Sequence, residues 1–394
     1  MWEQIRSNQT RTIVLVATLG LVFLLLGYFL GMVFFGDAIT GLAIAIVVWA
    51  VMNLIAYFQG DNILLAVSGA RKISPDDHKR LYNVVEEMKI ASGLEKMPDI
   101  YIIDDPAMNA FATGRDPNKA AIAVTSGLLQ KLNRDELQGV VGHEIAHIKN
   151  RDVLLMAMCS VLLGTIVMLA WYGSRFLFYS GMGRTRRTTS TGRGGGGAQL
   201  IIMLVALVLM ILAPIAAQLI YFAISRRREY LADASSALYT RYPEGLASAL
   251  EKIALSTEEL KTANRATAPM FIVNPFNRKM NELTSTHPPI AERVRILRSM
   301  AGASFADYDR AYREVKYDPK GIIRGAAAAG AVPIRAPGTE KMDEIQQARE
   351  TSDVMWRLSN YTTLTCACGT RLKLPPSFSS SQVRCPHCGR LNSV

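Results

Sequence analysis

Cysteine is scarce in this chain: there are five in 394 residues, four of them between positions 366 and 388. The fifth, Cys159, stands in an apolar run, where a thiol serves as a small apolar side chain. There are no internal repeats. Charge is missing from two long stretches, 13–36 and 38–58, yet Asp, Glu, Lys and Arg make up 20% of the whole, close to the soluble norm of roughly 25%. That share excludes a bare channel or carrier and leaves room for a globular domain. Hydrophobic residues make up 50%, which excludes disorder as the main theme. The length allows about two or three domains, and the net charge is +11.

The hydrophobic half is concentrated. Residues 13–36 and 38–58 are each long enough to cross a bilayer core of about 30 Å, which takes about 20 helical residues. Little more than Asp37 separates them, so they predict a tight hairpin and an uncleaved anchor. Residues 153–173 and 200–224 predict two further spans, the second interrupted by Pro214.

Soluble character lies between the second and third spans. Ser74, Pro75, Asp76 and Asp77 offer a cap and acids for a helix whose buried face is Leu81, Val84, Val85 and Met88. The runs 99–105 and 119–127 predict strands. A helix over 133–152 follows, with Asn133 and Glu136 placed as a capping pair. The Gly, Thr and Arg tract 181–197 predicts a flexible linker, and 321–338 a domain boundary.

His143, Glu144 and His147 form HExxH in the middle of that helix. A separation of four puts both imidazoles on one face, where they can share a zinc ion, with Glu144 beside them to take a proton from water. The reaction class is metal-assisted amide hydrolysis. A third ligand is needed, and SRRREYLADASSA (225–237) supplies a carboxylate pair four residues apart. Glu229 can bind zinc while Asp233 hydrogen-bonds a ligand histidine. The bland alternative is an interfacial helix whose Arg226, Arg227 and Arg228 snorkel at a membrane surface. His147 lies six residues before Val153, and Glu229 five after Ile224, so at 1.5 Å per residue both lie within roughly 10 Å of the hydrocarbon. The metal is expected at the membrane surface, with membrane or membrane-presented proteins as substrates.

Over about residues 10–300 the chain resembles the HtpX membrane zinc metalloendopeptidases, relatives of the CAAX prenyl proteases. The resemblance rests on NAFATG (109–114), HEIAHIKNRD (143–152), REYLADA (228–234), MFIVNPF (270–276) and STHPPIAERV (285–294), in that order. It implies that His143, His147 and Glu229 are the zinc ligands, Glu144 the general base and Asp233 a partner of a ligand histidine. It also implies that Asn109 lies on an edge strand flanking the cleft, and that His287 approaches the site and supports the oxyanion. Membrane-protein quality control is the role it implies. A CAAX-type processing peptidase, and a non-catalytic membrane adaptor acting through its tail, are the alternatives.

Residues 361–394 depart from that family. Cys366, Cys368, Cys385 and Cys388 make two close pairs, each followed by glycine, with 16 residues between them, the pattern of a zinc ribbon. The first knuckle is CxC where CxxC is commoner, which keeps His387 in view as a ligand. Disulfides are the competing reading and would need an oxidising compartment. A four-cysteine site is structural, so two zinc ions are expected, one catalytic and one structural. The ribbon's Arg371, Lys373, Arg384 and Arg390 could serve nucleic acid, acidic lipid or nothing specific; the expected partners are the lipid bilayer and a protein bound by the ribbon, not nucleic acid.

Nine basic residues flank the spans on the catalytic side: Arg6, Arg11, Arg71, Lys72, Lys149, Arg151 and Arg226–Arg228. By the positive-inside rule the active site and ribbon face the cytoplasm of a multi-pass protein of the cell (inner) membrane. Arg175, Arg184, Arg186, Arg187 and Arg193 in the second loop oppose this. Either that loop is translocated despite them, or the third and fourth spans do not fully cross.

The expected fold class is an α+β membrane protein: a mainly helical zincin-like domain with a small edge sheet, about four transmembrane helices and a C-terminal zinc ribbon. The expected organisation is a transmembrane hairpin (1–60), a metallopeptidase domain containing a second hairpin (61–318), an Ala, Gly and Pro linker (319–345), and a short helix with the ribbon (346–394).

Overall fold

The computed structural model describes residues 2–154, 226–258, 260–261, 271–272, 287–323, 330–339 and 343–394, with 166–168, 170–172, 175, 208 and 211–215. Most of the expected third and fourth spans, the tract 181–197, Cys159, and the larger part of the MFIVNPF motif lie outside the described residues.

Within them the fold is helix-rich α+β with small sheets. Helices α1 (Trp2–Phe34) and α2 (Ala38–Val67) pack along one another. Asp37 does more than break the apolar run. It caps α2, its carboxylate accepting from the N–H groups of Ile39 and Thr40 and from the Thr40 hydroxyl. The helices approach so closely that a Cβ on Gly31 would lie 2.5 Å from the Cα of Gly41, the small-residue contact expected where helices meet without a hydrophobic driving force. Among the described residues one helical segment, Ala38–Ile55, is long and apolar enough to cross a membrane, and α1 carries a shorter apolar stretch, Val16–Met32.

A four-stranded sheet follows, built from β1 (Arg71–Lys72), β2 (Asp99–Ile103), β3 (Ala110–Gly114) and β4 (Ala120–Thr125) in the order β1-β2-β4-β3. β2 and β4 run parallel, and β3 is antiparallel to β4 at the sheet's edge. Helix α3 (Lys79–Ser92) buries Leu81, Val84, Val85 and Met88 as the spacing predicts, but its cap is His78, whose Nδ1 accepts from Leu81 N–H. Ser74 is used otherwise. Its N–H and hydroxyl both donate to Asp77, closing a turn before the helix starts.

Helix α4 (Ser126–Lys131) leads into α5 (Arg134–Lys149), which carries HExxH and opens with the expected Asn133–Glu136 capping box. α5 lies among α3, β3 and α7 (Pro243–Leu255). A Cβ on Gly139 would come within 2.6 Å of the Leu246 nitrogen, so only glycine allows this approach of α5 to α7. A helix described over residues 226–240 (α6) donates from Ser236 Oγ to Gly139 O at 2.7 Å. Helices α8 (Ile290–Arg298) and α9 (Phe305–Lys316) complete the body.

Residues 330–339, expected as part of a linker, form a strap on that body. Arg335 donates from Nη2 to Asp135 Oδ1 (2.6 Å) and Gln138 Oε1 (2.8 Å) in the first turns of α5, and Gly338 N–H reaches Asp135 Oδ2 at 2.7 Å. Backbone bonds from Ala303 N to Val332 O and from Arg335 N to Arg241 O extend the contact. Helix α10 (Glu344–Leu358) then packs on α4 through buried Thr351, Val354 and Met355. The chain ends in two hairpins, β5 (Thr362–Thr365) with β6 (Arg371–Leu374) and β7 (Gln382–Arg384) with β8 (Leu391–Ser393).

Candidate metal centres

Helix geometry sets His143 and His147 one turn apart, and both are buried, with their Nε2 atoms 3.2 Å from each other. Glu229 on α6 closes a triangle: Oε2 lies 3.6 Å from His143 Nε2 and Oε1 3.4 Å from His147 Nε2. A tetrahedral zinc about 2.0–2.1 Å from each ligand holds its donors about 3.3 Å apart, so the triangle has the size of a zinc site. Buried charge agrees. With the ligand imidazoles neutral, as metal binding requires, the buried acids Glu144, Asp152, Glu229 and Asp233 outnumber the buried Arg228 and Arg293 by two, a charge that a divalent cation would neutralise. Among the described residues, Glu144 Oε1 and Glu229 Oε2 are buried without a hydrogen bond. The residues present fit the metal.

Each ligand imidazole is oriented through its other nitrogen. Asp233 Oδ1 is 3.0 Å from His143 Nδ1, as the Glu229–Asp233 spacing predicts. His147 Nδ1 faces Asp152 Oδ2 at 3.3 Å, and the sequence reading missed this partner. Asp152 lies beyond the end of α5, where no helical periodicity applies. Arg151 takes a left-handed φ of 58° at the turn between them. The signal the sequence did offer is the HEIAHIKNRD motif itself, which ends on Asp152. Arg228, a snorkelling cation only in the bland alternative, is buried with Nε 3.5 Å from Asp152 Oδ1. A buried carboxylate draws in the nearest guanidinium, and that overrides the bland reading for this residue.

Burial pushes the Glu144 carboxyl above its ordinary range, against the pull of both histidines. For Glu229 burial acts the same way, but His287, His143 and His147 outweigh it and hold the group well below the usual carboxylate range. Burial lowers His287 to about 4, so its imidazole is neutral at physiological pH. His287 does reach the site, with Nε2 3.8 Å from Glu229 Oε2. Asn109 stands immediately before edge strand β3, its Oδ1 accepting from Ala110 N–H and its backbone N–H bonded to Thr125 Oγ1. The next turn of that strand matters to the site, because the Ala112 backbone N–H interacts with Glu144.

The tail holds the second cluster. Cys366, Cys368, Cys385 and Cys388 converge, all as free thiols. Cys366 Sγ lies 3.6 Å from Cys388 Sγ, and Cys368 Sγ 3.7 Å from Cys385 Sγ. A disulfide needs about 2.05 Å, whereas a tetrahedral zinc with bonds of about 2.3 Å spaces its sulfurs about 3.8 Å apart. The glycines after each pair, Gly369 and Gly389, take φ of +85° and +72° and donate back to Cys366 O and Cys385 O. His387 is exposed and stands outside the cluster.

Residues 75–301 match the model of Peptidase family M48. The chain is 44% identical over 299 residues to the Protease HtpX homolog of Dictyoglomus thermophilum, covering 76% of this chain and 94% of that one. It is 42% identical over 300 residues to the Protease HtpX homolog of Thermoanaerobacter pseudethanolicus (76% and 98%), and 38% over 301 to that of Streptococcus uberis (76% and 100%). A solved structure described as that of S. mikatae Ste24p aligns with a TM-score of 0.42 at 20% identity, over 75% of this chain and 67% of the other.

Proposed function

The chain belongs to peptidase family M48 and is a metalloprotease, and from that premise we propose that it is a membrane-anchored zinc endopeptidase cleaving protein chains in or at the bilayer. The observation that carries this is the triangle of His143, His147 and Glu229 with the buried, unbonded Glu144 Oε1 in the same cluster. The apolar face of α2 supports the anchor: Val47, Val51, Leu54 and Phe58 are exposed, which water would penalise and a bilayer would not. With the active site and ribbon on the cytoplasmic side, the flanking cations other than buried Arg228 obey the positive-inside rule.

His143, His147 and Glu229 would hold the zinc ion, which would supply Lewis acidity for a substrate carbonyl and for water. The remaining work falls to the chain. Glu144 takes a proton from the attacking water at Oε1 and returns it to the leaving amine. His287, neutral because it is buried, offers an N–H to the oxyanion as it develops. Asn109 leads into β3, whose outward backbone serves as a rail for an extended substrate. Asp233 and Asp152 hold the ligand imidazoles in one tautomer. The ribbon cysteines would hold a second, structural zinc.

The test is Glu144→Gln. The variant should keep two zinc ions per chain, fall to one when Cys385 and Cys388 are also changed to Ser, and lose cleavage by at least about 100-fold. Comparing the membrane proteomes of cells carrying wild type and Glu144→Gln should show intact membrane proteins accumulating with the variant. Cleavage surviving in Glu144→Gln would refute the mechanism, and accumulation confined to prenylated chains would reassign the enzyme to CAAX-type processing.

A further inference from the structure

Among the described residues, Arg293 on α8 is the largest side chain that is fully enclosed, with 0% of its surface exposed. A buried guanidinium has five N–H groups to satisfy and cannot shed its charge. Here every direction it points leads to the metal site. Nε and Nη2 grip Asp233 in a fork, at 2.9 Å to Oδ2 and 2.7 Å to Oδ1. Nη1 lies 3.4 Å from Glu229 Oε2 and donates to Ile272 O at 3.2 Å. Ile272 N–H in turn donates to Ala110 O on the outer edge of β3.

Each contact constrains something the chemistry needs. Asp233 Oδ1 serves both Arg293 and His143 Nδ1. With the carboxylate fixed by the fork, Nδ1 must be the protonated nitrogen of His143 and Nε2 the one left for metal. The pull on Glu229 Oε2 sets the rotation of that carboxylate between the two histidines. Through Ile272 the same guanidinium ties the head of the substrate rail to the ligands. Because Arg293 is enclosed, it touches no substrate.

We propose that Arg293 is a positioning residue of the catalytic centre, orienting Asp233–His143 and Glu229 so that the site binds zinc tightly and turns over. This rests on the metallopeptidase reading above. Lysine could replace the charge but not the fork, since its ammonium is a single point donor. A merely structural ion pair predicts something else: loss of stability, with affinity and turnover intact in whatever fraction folds.

The experiment uses the full chain in detergent and two variants, Arg293→Lys and the charge-neutral double Arg293→Met/Asp233→Asn. Zinc release to a competing chelator is followed, and the ribbon's phase is identified as the one unmoved by His143→Ala. In folded Arg293→Lys the catalytic zinc should be held about 10- to 100-fold less tightly. At saturating zinc, kcat should fall with KM within about twofold. If Arg293→Lys does not fold, the double variant decides, because it removes one buried charge of each sign and leaves the charge balance of the cluster unchanged. Zinc affinity and kcat within twofold of wild type in either folded variant would overturn the proposal. Glu144→Gln, measured alongside, keeps the two ideas apart: retained cleavage there sinks the reaction mechanism, while the chelator measurement still judges Arg293.

Discussion

His78 shows what one enclosed imidazole does to a fold. Burial, helped by the charge of Arg80, lowers it from 6.5 to about 4, with Glu350 opposing and Arg357 reinforcing the shift. Its Nδ1 must stay unprotonated to accept from Leu81 N–H at the start of α3. Between pH 6.5 and 4 the unfolded chain therefore binds the proton that the folded chain refuses. Stability from this group is complete above about pH 6.5 and is lost as pH falls toward 4, by at most about 3 kcal/mol. His78→Asn keeps a capping side chain without titrating, so thermal unfolding across that window should show a flatter acid slope; an unchanged slope would clear His78 of the role. The same scale shows what could be read from the sequence. His143, His147, Glu229 and Asp233 obey helical spacing and were legible. Asp152 and Arg293 obey none, because a turn and a separate helix deliver them.

Helix α5 is fixed ahead of its catalytic turn, by the Asn133–Glu136 box and by the contact of Gly139 with α7. Gly139→Ala puts two effects in opposition. Helix propensity gains about 1 kcal/mol, while a Cβ 2.6 Å from the Leu246 backbone forces a shift costing about 1–3 kcal/mol or more, since backbone cannot rotate away as a side chain can. Overpacking should win, and the melting temperature should fall; a rise would show that α7 yields freely. The strands at 99–103 and 120–125 and the α3 face were readable from alternation and periodicity. The cap of α3 was not, because Ser74 and Asp77 satisfy each other first. For the ribbon, the cysteine spacing alone was enough, since four sulfurs at one point leave the intervening hairpins little choice.

At the scale of the whole molecule, the placement proposed for the catalytic body meets a single objection, the arginines between 184 and 193. Single cysteines introduced over 181–197 should be labelled from outside the cytoplasm by a membrane-impermeant maleimide if the loop is translocated. Labelling from the cytoplasm alone would end the four-span proposal. Composition could not foretell the strap. Residues 330–339 are low in complexity, and they hold the body mainly through backbone groups and one arginine, which leave no apolar period to read. The strap lies beyond the stretch 75–301 that matches the family, yet it grips Asp135 in the first turn of α5, two turns ahead of His143. A protease trimmed at 318 would therefore be a differently fastened enzyme, with Asp135 and the Thr240 carbonyl stripped of their Arg335 donors. The shortest chain that keeps its catalytic helix clasped ends at about residue 339, ahead of α10 and of the ribbon that follows it.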